Sequence, residues 1–414
     1  MTAETERRGT TRGDGTWTGD VIVIGAGIVG LAAAREILKR HPDLKLAVLE
    51  KEAQIAGHQS GHNSGVIHSG IYYAPGSLKA KACVAGSAQM MAYCDEHDIP
   101  YQLCGKVIVA TDESEIPRLE ALFERGQTNG VPDLRMIDAD ELKEVEPHVT
   151  GVHAILSPRT GIVDYRQVAD SYAEELMKSG GKILTDHEVV SIIRGATRTL
   201  VCTNRGDFET KRVIACAGVY ADRVAGMTGA PLEPRIVPFR GDYYILRPER
   251  RDLVRGNIYP VPDPRFPFLG VHFTPRMNGD LWLGPNAVLA FSREGYSFGS
   301  IQLNDLTDMA RFGGFRNFAR KHWRTGFDEM ARDLSKKRFL ASLQKFIPEL
   351  EMEDLLPGPS GVRAQALSED GNLVDDFIVD RERRVLHVRN APSPAATSSL
   401  VIGAMIADAF DQMD

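Results

Sequence analysis

Long apolar runs, paired cysteines and surplus basic charge are all missing from this 414-residue sequence. No stretch approaches the roughly 20 apolar residues of a membrane-spanning helix. The five cysteines are odd in number and lack Cys-x-x-Cys spacing, which argues against a disulfide framework, predicts no metal site and fits a reducing cytoplasm. The net charge of −7 lacks the basic signature of nucleic-acid binding, so we expect no nucleic-acid partner.

The length is enough for about two or three domains. Residues 1–19 are rich in Thr, Gly, Arg and Glu, and no apolar segment follows Arg7-Arg8, so we expect a disordered tail and not a secretory signal. Strand and helix patterns alternate from Asp20, whereas prolines and aromatic strand pieces mark the chain after 231. We expect a three-layer, Rossmann-like α/β domain with a βαβ unit from 20–100, 150–230 and 355–414. We expect an α+β substrate-binding domain with a mainly antiparallel sheet from 101–149 and 231–354.

A glycine-rich turn joins the first strand to the first helix. Residues 25–30, GAGIVG, form a GxGxxG motif between an apolar run and an alanine-rich helix. In this setting Gly25 permits the tight turn, Gly27 lets the backbone approach a pyrophosphate, and Gly30 lets helix and strand pack closely. Glu50 ends the second strand 20 residues after Gly30, and its carboxylate suits the ribose hydroxyls. The unit predicts a bound dinucleotide.

Two later segments favour FAD over NAD as this dinucleotide. A strand that starts at Val213 ends in the small residues Ala217 and Gly218, and FAD-binding proteins often bring such a strand near the cofactor. Further along, Ser393 suits a helix N-cap and Pro394 the first helical position, which predicts a helix from about 394 to 410. The positive end of this helix would face the flavin N1–C2=O edge and stabilise the reduced flavin.

The histidine-rich segment 58–73, HQSGHNSGVIHSGIYY, carries the most specific signature. Other marked segments are PFRGDYY at 238–244, YPVP at 259–262, GVHF at 270–273, LGPNA at 283–287 and GPSGVRAQ at 358–365. Together they resemble the L-2-hydroxyglutarate dehydrogenase/oxidase family of the D-amino-acid oxidase-like FAD-dependent oxidoreductases. The resemblance implies that the first domain binds FAD and that the chain oxidises L-2-hydroxyglutarate to 2-oxoglutarate by hydride transfer to flavin N5. Electrons would then pass to a quinone or to oxygen.

Three other functions stay open at this point. An amine or amino-acid oxidase of the same superfamily would keep the fold and change the chemistry. A related oxidase of another hydroxy substrate could serve a biosynthetic pathway. The third alternative is a nucleotide-binding protein without catalysis. Reduction of the flavin by a hydroxy acid, by an amine or by neither would separate them.

The motifs and the resemblance together define the residues that are expected to bind FAD. They are Gly25, Gly27, Gly30, Glu50, Ser60, Asn63, Ser64, Gly65, Val189, Ala217, Gly218, Pro394, Ala395 and Thr397. His58 and His62 are candidates to pack on the flavin. We expect non-covalent FAD, and the alternative is covalent attachment through a histidine of this region, as in some relatives.

Oxidation of a 2-hydroxy acid needs a base for the hydroxyl proton and a cation for the carboxylate. Histidine suits the base because its pKa lies near the working pH, and His68 and His272 are the candidates because both lie in the family-like motifs. Arg363, in a Gly/Pro-rich loop, completes the expected catalytic set and clamps the carboxylate, because its planar fork matches that group. The candidates for binding the second carboxylate of hydroxyglutarate are Arg240, Tyr244 and Arg276.

A basic segment at 311–324 allows two interpretations. It contains five basic residues, four aromatic residues and no acid. Such a segment can lie on an anionic membrane surface, which would hold a cytoplasmic protein peripherally on the inner membrane, close to quinone. Alternatively, it is a helix with a solvated basic side and a buried aromatic side.

Overall fold

The computed structural model describes residues 17–264, 270–286, 288–297, 299–322 and 335–413. The helices in these ranges are α1 (Ile28–Arg40), α2 (Leu78–Glu96), α3 (Ile116–Thr128), α4 (Ala139–Val145), α5 (Tyr165–Lys178), α6 (Ala221–Met227), α7 (Leu303–Arg311), α8 (described over 313–322), α9 (Lys336–Leu343) and α10 (Ser399–Asp411). None of these described helices combines the length and apolar character that crossing a membrane requires.

The strands of the described ranges are β1 (Trp17–Thr18), β2 (Val21–Ile24), β3 (Leu46–Leu49), β4 (Val66–Ile67), β5 (Tyr101–Gln102), β6 (Lys106–Ala110), β7 (Arg135–Asp138), β8 (His153–Ser157), β9 (Gly161–Val163), β10 (Lys182–Leu184), β11 (Val189–Arg194), β12 (Thr199–Thr203), β13 (Gly206–Thr210), β14 (Arg212–Ala215), β15 (Arg235–Leu246), β16 (Asn257–Pro260), β17 (His272–Pro275), β18 (Leu281–Gly284), β19 (Val288–Leu289), β20 (Leu355–Leu367), β21 (Ile378–Glu382) and β22 (Val385–Asn390).

The glycine motif belongs to a six-stranded sheet with the order β10-β3-β2-β14-β22-β21. Its neighbouring strands are parallel except for β21, which is antiparallel to β22. Every residue of β2 and β3 is buried, because α1, α5 and α10 pack on one face and the sheet β1-β13-β12-β11 covers the other. This three-layer arrangement confirms the predicted Rossmann-like domain.

A second large sheet has the order β19-β15-β18-β17-β16-β6-β8-β7, and β20 pairs with β15. Its pairs are antiparallel except for β16 with β6. One core packs this sheet against α4 and α9, and another packs it against α3. The sheet confirms the predicted α+β arrangement with a mainly antiparallel sheet.

Two strands differ from the predicted division of the chain. β8 and β20 fall in segments assigned by sequence to the first domain, yet both belong to the large antiparallel sheet. β20 pairs with β15 along most of its length. The glycines and prolines of this segment indicate a loop by composition, but an edge strand tolerates proline because one side of it needs no ladder hydrogen bonds. Strand pairing, and not composition, therefore sets the boundaries near 150 and 355.

The predicted N-terminal tail is shorter than expected. Trp17 and Thr18 form β1, which pairs with β13, and the Trp17 ring packs 6.0 Å from the ring of Phe208. Residues 1–16 lie outside the described ranges. The tail prediction is thus wrong for its last residues, because an aromatic contact anchors them to the sheet.

The aromatic side of the basic segment is buried over its described part. Phe312 and Phe318 pack in an apolar cluster with residues of β15 and β20. The described basic residues of the segment are exposed, namely Arg311, Arg316, Arg320 and Lys321. This arrangement matches the interpretation as a solvated helix face, since these two rings are committed to the protein interior. Residues 323 and 324 lie outside the described ranges.

Candidate active site

A cavity of about 790 Å³ is lined by residues of both large sheets. Its lining includes the glycine turn, Glu50 and Val189, and also His68, His272 and Arg363. The predicted FAD-binding residues that line it are Gly25, Gly27, Gly30, Glu50, Ser60, Asn63, Ser64, Val189, Ala217, Gly218, Pro394, Ala395 and Thr397. One cavity therefore brings the dinucleotide motif together with the candidate catalytic residues.

Close backbone approach explains the glycines of the turn. Gly25 has a φ of +100°, and a Cβ at this position would lie 2.5 Å from the carbonyl oxygen of Cys216. A Cβ at Gly30 would collide with the carbonyl of Gly25. The loop of residues 58–65 also reaches the turn, because the Ile28 N–H donates to Ser60 Oγ at 2.9 Å. Gly25 and Gly30 are therefore required by close packing within the turn and against Cys216, and the turn leads into the N-terminus of α1, where backbone N–H groups can bind a phosphate.

Glu50 is held rigidly beside the glycine turn. Its side chain is buried, and it accepts hydrogen bonds from the backbone N–H groups of Ala26 at 2.8 Å and Glu52 at 3.0 Å. Each carboxylate oxygen keeps a second lone pair. Glu50 can thus accept hydrogen bonds from ribose hydroxyls without any rearrangement, and its charge disfavours a 2′-phosphate.

Gly65 and Arg276 shape the loop and lie outside the residues that line the cavity. Arg276 Nη1 donates to the carbonyl of Asn63 at 3.0 Å, and its guanidinium stacks 4.1 Å from the ring centroid of Trp282. Gly65 has a φ of +73°, and a Cβ there would collide with Arg276. The structure therefore corrects the predicted direct roles in binding the substrate and FAD: these residues support the loop from behind.

The segment before α10 is a turn and not the start of a helix. α10 begins at Ser399, so Ser393 and Pro394 are not its N-cap and first residue. The prediction failed because the same residue types favour turns. Thr397 closes this turn onto the histidine loop: its Oγ1 accepts the backbone N–H of His68 at 3.1 Å and lies 2.9 Å from the Tyr165 hydroxyl. The backbone of His68 is thereby tied to the turn that precedes α10.

Strand register selects which residues of the antiparallel sheet face the cavity. Arg363 lies in β20 and not in a loop, and it is hydrogen-bonded to Tyr243. Tyr243 lines the cavity, whereas the adjacent Tyr244 packs 4.8 Å from the ring of Phe339 on the other face. A bulge beside Asp242 makes this alternation hard to predict. Tyr243, and not the predicted Tyr244, is the cavity residue.

Arg240 is the third predicted substrate residue that the structure places outside the cavity lining. Its guanidinium forms a salt bridge with Asp242 at 2.8 Å and donates to the carbonyl of Ser297 at 3.2 Å. The side chain is 7% exposed. It is thus a partnered interior cation that fastens the 297 region to β15.

His68 and His272 are both neutral imidazoles at physiological pH. Desolvation and the positive charges of Lys106 and Arg363 hold the pKa of His68 well below its usual value of 6.5. Burial lowers the pKa of His272 to about 3, against a hydrogen bond to Gly270 that raises it. The 3.0 Å contact of His272 Nδ1 with the Gly270 carbonyl requires a proton on Nδ1 and leaves Nε2 as an acceptor. Both rings are in the protonation state that a base requires.

Several cavity residues escaped the sequence analysis. Gln59 Oε1 accepts the backbone N–H of Ala364 at 3.2 Å and so joins the histidine loop to β20. Tyr72 and Tyr259 line the cavity near His272, and the tilted rings of Tyr259 and His272 have centroids 4.1 Å apart. The tyrosines lie within the motifs quoted above, but only the tertiary structure shows that their rings lie 6.4 Å apart.

His58 and His62 line the cavity and contact the same tyrosine. Tyr296 OH lies 3.1 Å from His58 Nδ1, and its ring centroid lies 4.5 Å from that of His62. The nitrogen or oxygen ligand atoms of His58, Glu52 and Glu294 all lie within 4.8 Å of one another. However, Lys51 forms salt bridges with both carboxylates. This cluster is therefore an ion-paired contact between the loop and the 294 region.

Comparison with known proteins agrees with this geometry. The family model described as FAD dependent oxidoreductase matches residues 20–409. L-2-hydroxyglutarate dehydrogenase, mitochondrial, of Nematostella vectensis is 55% identical over 94% of this chain and 90% of that protein. The Homo sapiens protein of the same name is 52% identical over 98% and 91%. L-2-hydroxyglutarate dehydrogenase of Indibacter alkaliphilus is 49% identical over 94% and 98%.

Solved structures share the fold at lower identity. L-alpha-glycerophosphate oxidase from Mycoplasma pneumoniae, with FAD bound, superposes with a TM-score of 0.78, at 23% identity over 95% of each chain. Glycine oxidase from Geobacillus kaustophilus superposes with a TM-score of 0.72, at 18% identity over 96% of each chain. FAD is accordingly the cofactor of this chain. The match over almost the whole length and the identities of about half show that the chain belongs to the family of FAD-dependent oxidoreductases that includes the L-2-hydroxyglutarate dehydrogenases.

Proposed function

We propose that this chain oxidises L-2-hydroxyglutarate to 2-oxoglutarate. The observation that carries the proposal is the grouping of two neutral histidines with Arg363 in the lining of the cavity that also contains the glycine turn. A hydroxy acid needs this combination: a cation that holds its carboxylate and an imidazole that accepts its hydroxyl proton. The names of relatives that are about half identical support the same substrate.

Arg363 is the carboxylate clamp in this proposal. Its guanidinium presents two parallel N–H donors to the α-carboxylate, and the Tyr243 hydroxyl is hydrogen-bonded to it. β20 is paired to β15 on both sides of Arg363, so the clamp sits on a rigid strand. A rigid support matters because the α-carbon must be held over the flavin for hydride transfer.

We propose His68 as the base and His272 as a second acceptor beside it. The side chain of His68 is partly accessible from the cavity, and its backbone N–H is bonded to Thr397 in the turn before α10. His272 is 4% exposed and already uses Nδ1 to bond the Gly270 carbonyl. His68 would take the hydroxyl proton, and Nε2 of His272, which is also an acceptor, is the alternative position for that single proton. Bound FAD supplies the acceptor for the α-hydrogen, which leaves as hydride.

A quinone or oxygen is the proposed final electron acceptor, and FAD is proposed to be held non-covalently. The exposed basic side of α8 supports peripheral contact with an anionic membrane as a route to quinone. A cytoplasmic location is part of this proposal, whereas the names of several animal relatives place those proteins in mitochondria. Release of flavin by acid precipitation would test the non-covalent attachment.

Anaerobic flavin reduction tests the reaction. L-2-hydroxyglutarate should bleach the flavin of the purified enzyme, and equal amounts of the D-enantiomer and of amines should not. In His68→Gln the reduction rate should fall by about 10²- to 10⁴-fold, as expected for loss of a general base. His272→Gln is the matched control and should lose less. Bleaching by an amine but not by the hydroxy acid would show an amine oxidase, and no bleaching by either would leave a non-catalytic protein.

A further inference from the structure

Lys106 is a buried cation that lies against two tyrosines of the cavity lining, Tyr72 and Tyr259, and has no part in the chemistry described so far. It is the first residue of β6 and is 2% exposed. In the register of β6 and β16, Lys106 and Tyr259 project from the same face, and His272 shares this face on β17. The Lys106 ammonium lies 4.2 Å from the Tyr259 ring centroid and 5.5 Å from that of Tyr72.

No carboxylate balances this charge within the described ranges. The ionisable groups that act on Lys106 are the thiols of Cys83 and Cys104. The pKa values of these thiols are raised by burial, to about 12 for Cys83 and about 11 for Cys104, so both are neutral at pH 7. Desolvation lowers the pKa of Lys106 itself to about 8. A buried cation without a counter-ion is costly, and a bound anion would offset that cost.

Tyr72 supplies an independent sign of a missing ligand. Its ring lines the cavity, and its hydroxyl is buried without a hydrogen-bond partner among the described residues. Buried hydroxyl groups normally have a partner. Tyr72 and Tyr259 line the cavity, and the Lys106 ammonium lies directly behind them. The Tyr72 side chain therefore lies near the Lys106 cation, and the described residues supply no acceptor for the Tyr72 hydroxyl.

We propose that the Tyr72 hydroxyl and Lys106 form the subsite for the second carboxylate of the substrate. This proposal rests on the proposed function, because it assigns the group of hydroxyglutarate that Arg363 does not bind. The Tyr72 hydroxyl donates to the carboxylate, and Lys106 supplies the positive charge from behind. Lys106 is a positioning residue and takes no part in the transfer of the proton or hydride.

The charge balance of the site supports this assignment. Both Lys106 and Arg363 lower the pKa values of His68 and His272, so both cations lie close to the two neutral rings. Two positive charges near the reacting centre match a substrate that carries two carboxylates. A monocarboxylate would leave the Lys106 charge buried and unbalanced, so the subsite would also select against such substrates.

A neutral isostere of the substrate gives the sharpest test. The 5-amide of L-2-hydroxyglutarate keeps the α-carboxylate and the hydroxyl but replaces the second carboxylate with an uncharged group. In stopped-flow anaerobic reduction of the holoenzyme, Lys106→Met should raise the Kd for L-2-hydroxyglutarate by about 10- to 100-fold. The Kd for the amide should change by less than about threefold, and the limiting reduction rate should stay within about threefold. Tyr72→Phe should show the same selectivity, and Lys106→Arg should retain much of the affinity.

The pH dependence supplies a second measurement. Lys106 loses its proton as the pH rises through about 8, so the Kd of the wild-type enzyme for the diacid should rise above that pH. The other groups that face Lys106 do not change their charge near pH 8. The histidines are already neutral at pH 7 and stay neutral above it, and the thiols and tyrosines stay protonated up to pH 10 or above. The amide should show no such rise, and neither should Lys106→Met with the diacid.

Equal losses for the diacid and the amide in both variants would overturn the subsite and show a structural role. Unchanged affinity for the diacid would also overturn it. If Lys106→Met fails to retain FAD, Tyr72→Phe decides, because it removes only one unpartnered hydroxyl. Failure of the proposed function is a different result: the wild-type flavin would then not be reduced by L-2-hydroxyglutarate at all.

Discussion

Replacement of Lys106 by methionine should make the substrate-free protein more stable at neutral pH. Burial lowers the pKa of Lys106 from 10.5 to about 8, and each pKa unit corresponds to about 1.4 kcal/mol. The buried charge of Lys106 therefore lowers the free energy of unfolding by about 3 kcal/mol at pH 7, where the lysine is protonated. Between pH 8 and 10.5 the unfolded chain binds this proton and the folded chain does not, so the penalty falls below about 1 kcal/mol at pH 10.

The gain should be reduced by the loss of the cation–π contact with Tyr259, which is worth about 0.5–2 kcal/mol. We therefore expect Lys106→Met to gain about 1–3 kcal/mol at pH 7 and to lose that advantage by pH 10. Urea unfolding of the FAD-saturated enzyme without substrate, at both pH values, measures the difference. Lys81→Met, at an exposed position of α2, is the matched control and should change little at either pH. A stability difference between Lys106→Met and wild type that is the same at pH 7 and pH 10 would refute the buried-charge argument.

Three further predictions concern the cofactor and substrate sites. Gly25→Ala should weaken FAD binding by at least about tenfold, because the new Cβ would press on the Cys216 carbonyl; titration of the apoprotein measures this. Gly76→Ala is its control, since Gly76 has a similar positive φ but open space around it, and equal loss of affinity would contradict the steric argument. Arg363→Lys should raise the Kd of the substrate by at least about tenfold while FAD affinity stays unchanged, because a point charge replaces a fork; an unchanged substrate Kd would refute the clamp. The anaerobic reduction rate should stay flat from pH 7.5 down to pH 6, because the pKa of His68 is held well below 6.5 and the ring stays unprotonated; a fall centred near pH 6.5 would show an ordinary histidine.

The local sequence was sufficient to predict the glycine turn and the position of Glu50 beside it. The glycine turn and Glu50 are set by a contiguous strand–turn–helix–strand unit, and their contacts are short in sequence. The predicted strand and helix positions from 20 to 50 agree with the structure for this reason. Composition also indicated the antiparallel sheet, through its prolines and aromatic strand pieces.

The surroundings of Arg363 were less predictable, because they are formed by strands that lie far apart in the sequence. Arg363 and Tyr243 meet because β20 pairs with β15, and a bulge beside Asp242 decides that Tyr243 and not Tyr244 faces inward. Arg240 and Arg276 looked suitable by residue type, but their partners Asp242 and Asn63 commit them to structural contacts. A basic residue in a motif can therefore be assigned to substrate binding only after its partners in the folded protein are known.

The sequence by itself determined the dinucleotide unit, the FAD family and the histidine loop, because each rests on residues that are adjacent along the chain. The tertiary structure decided which side chains share the cavity, because strand register and burial join residues more than 100 positions apart. The missing basic surplus and the missing apolar runs are properties of the whole chain, whereas the burial of Lys106 is seen only when β6 pairs with β16 in the folded protein. That this lysine has no counter-ion among the described residues is a property of the packed interior, where water no longer screens the charge.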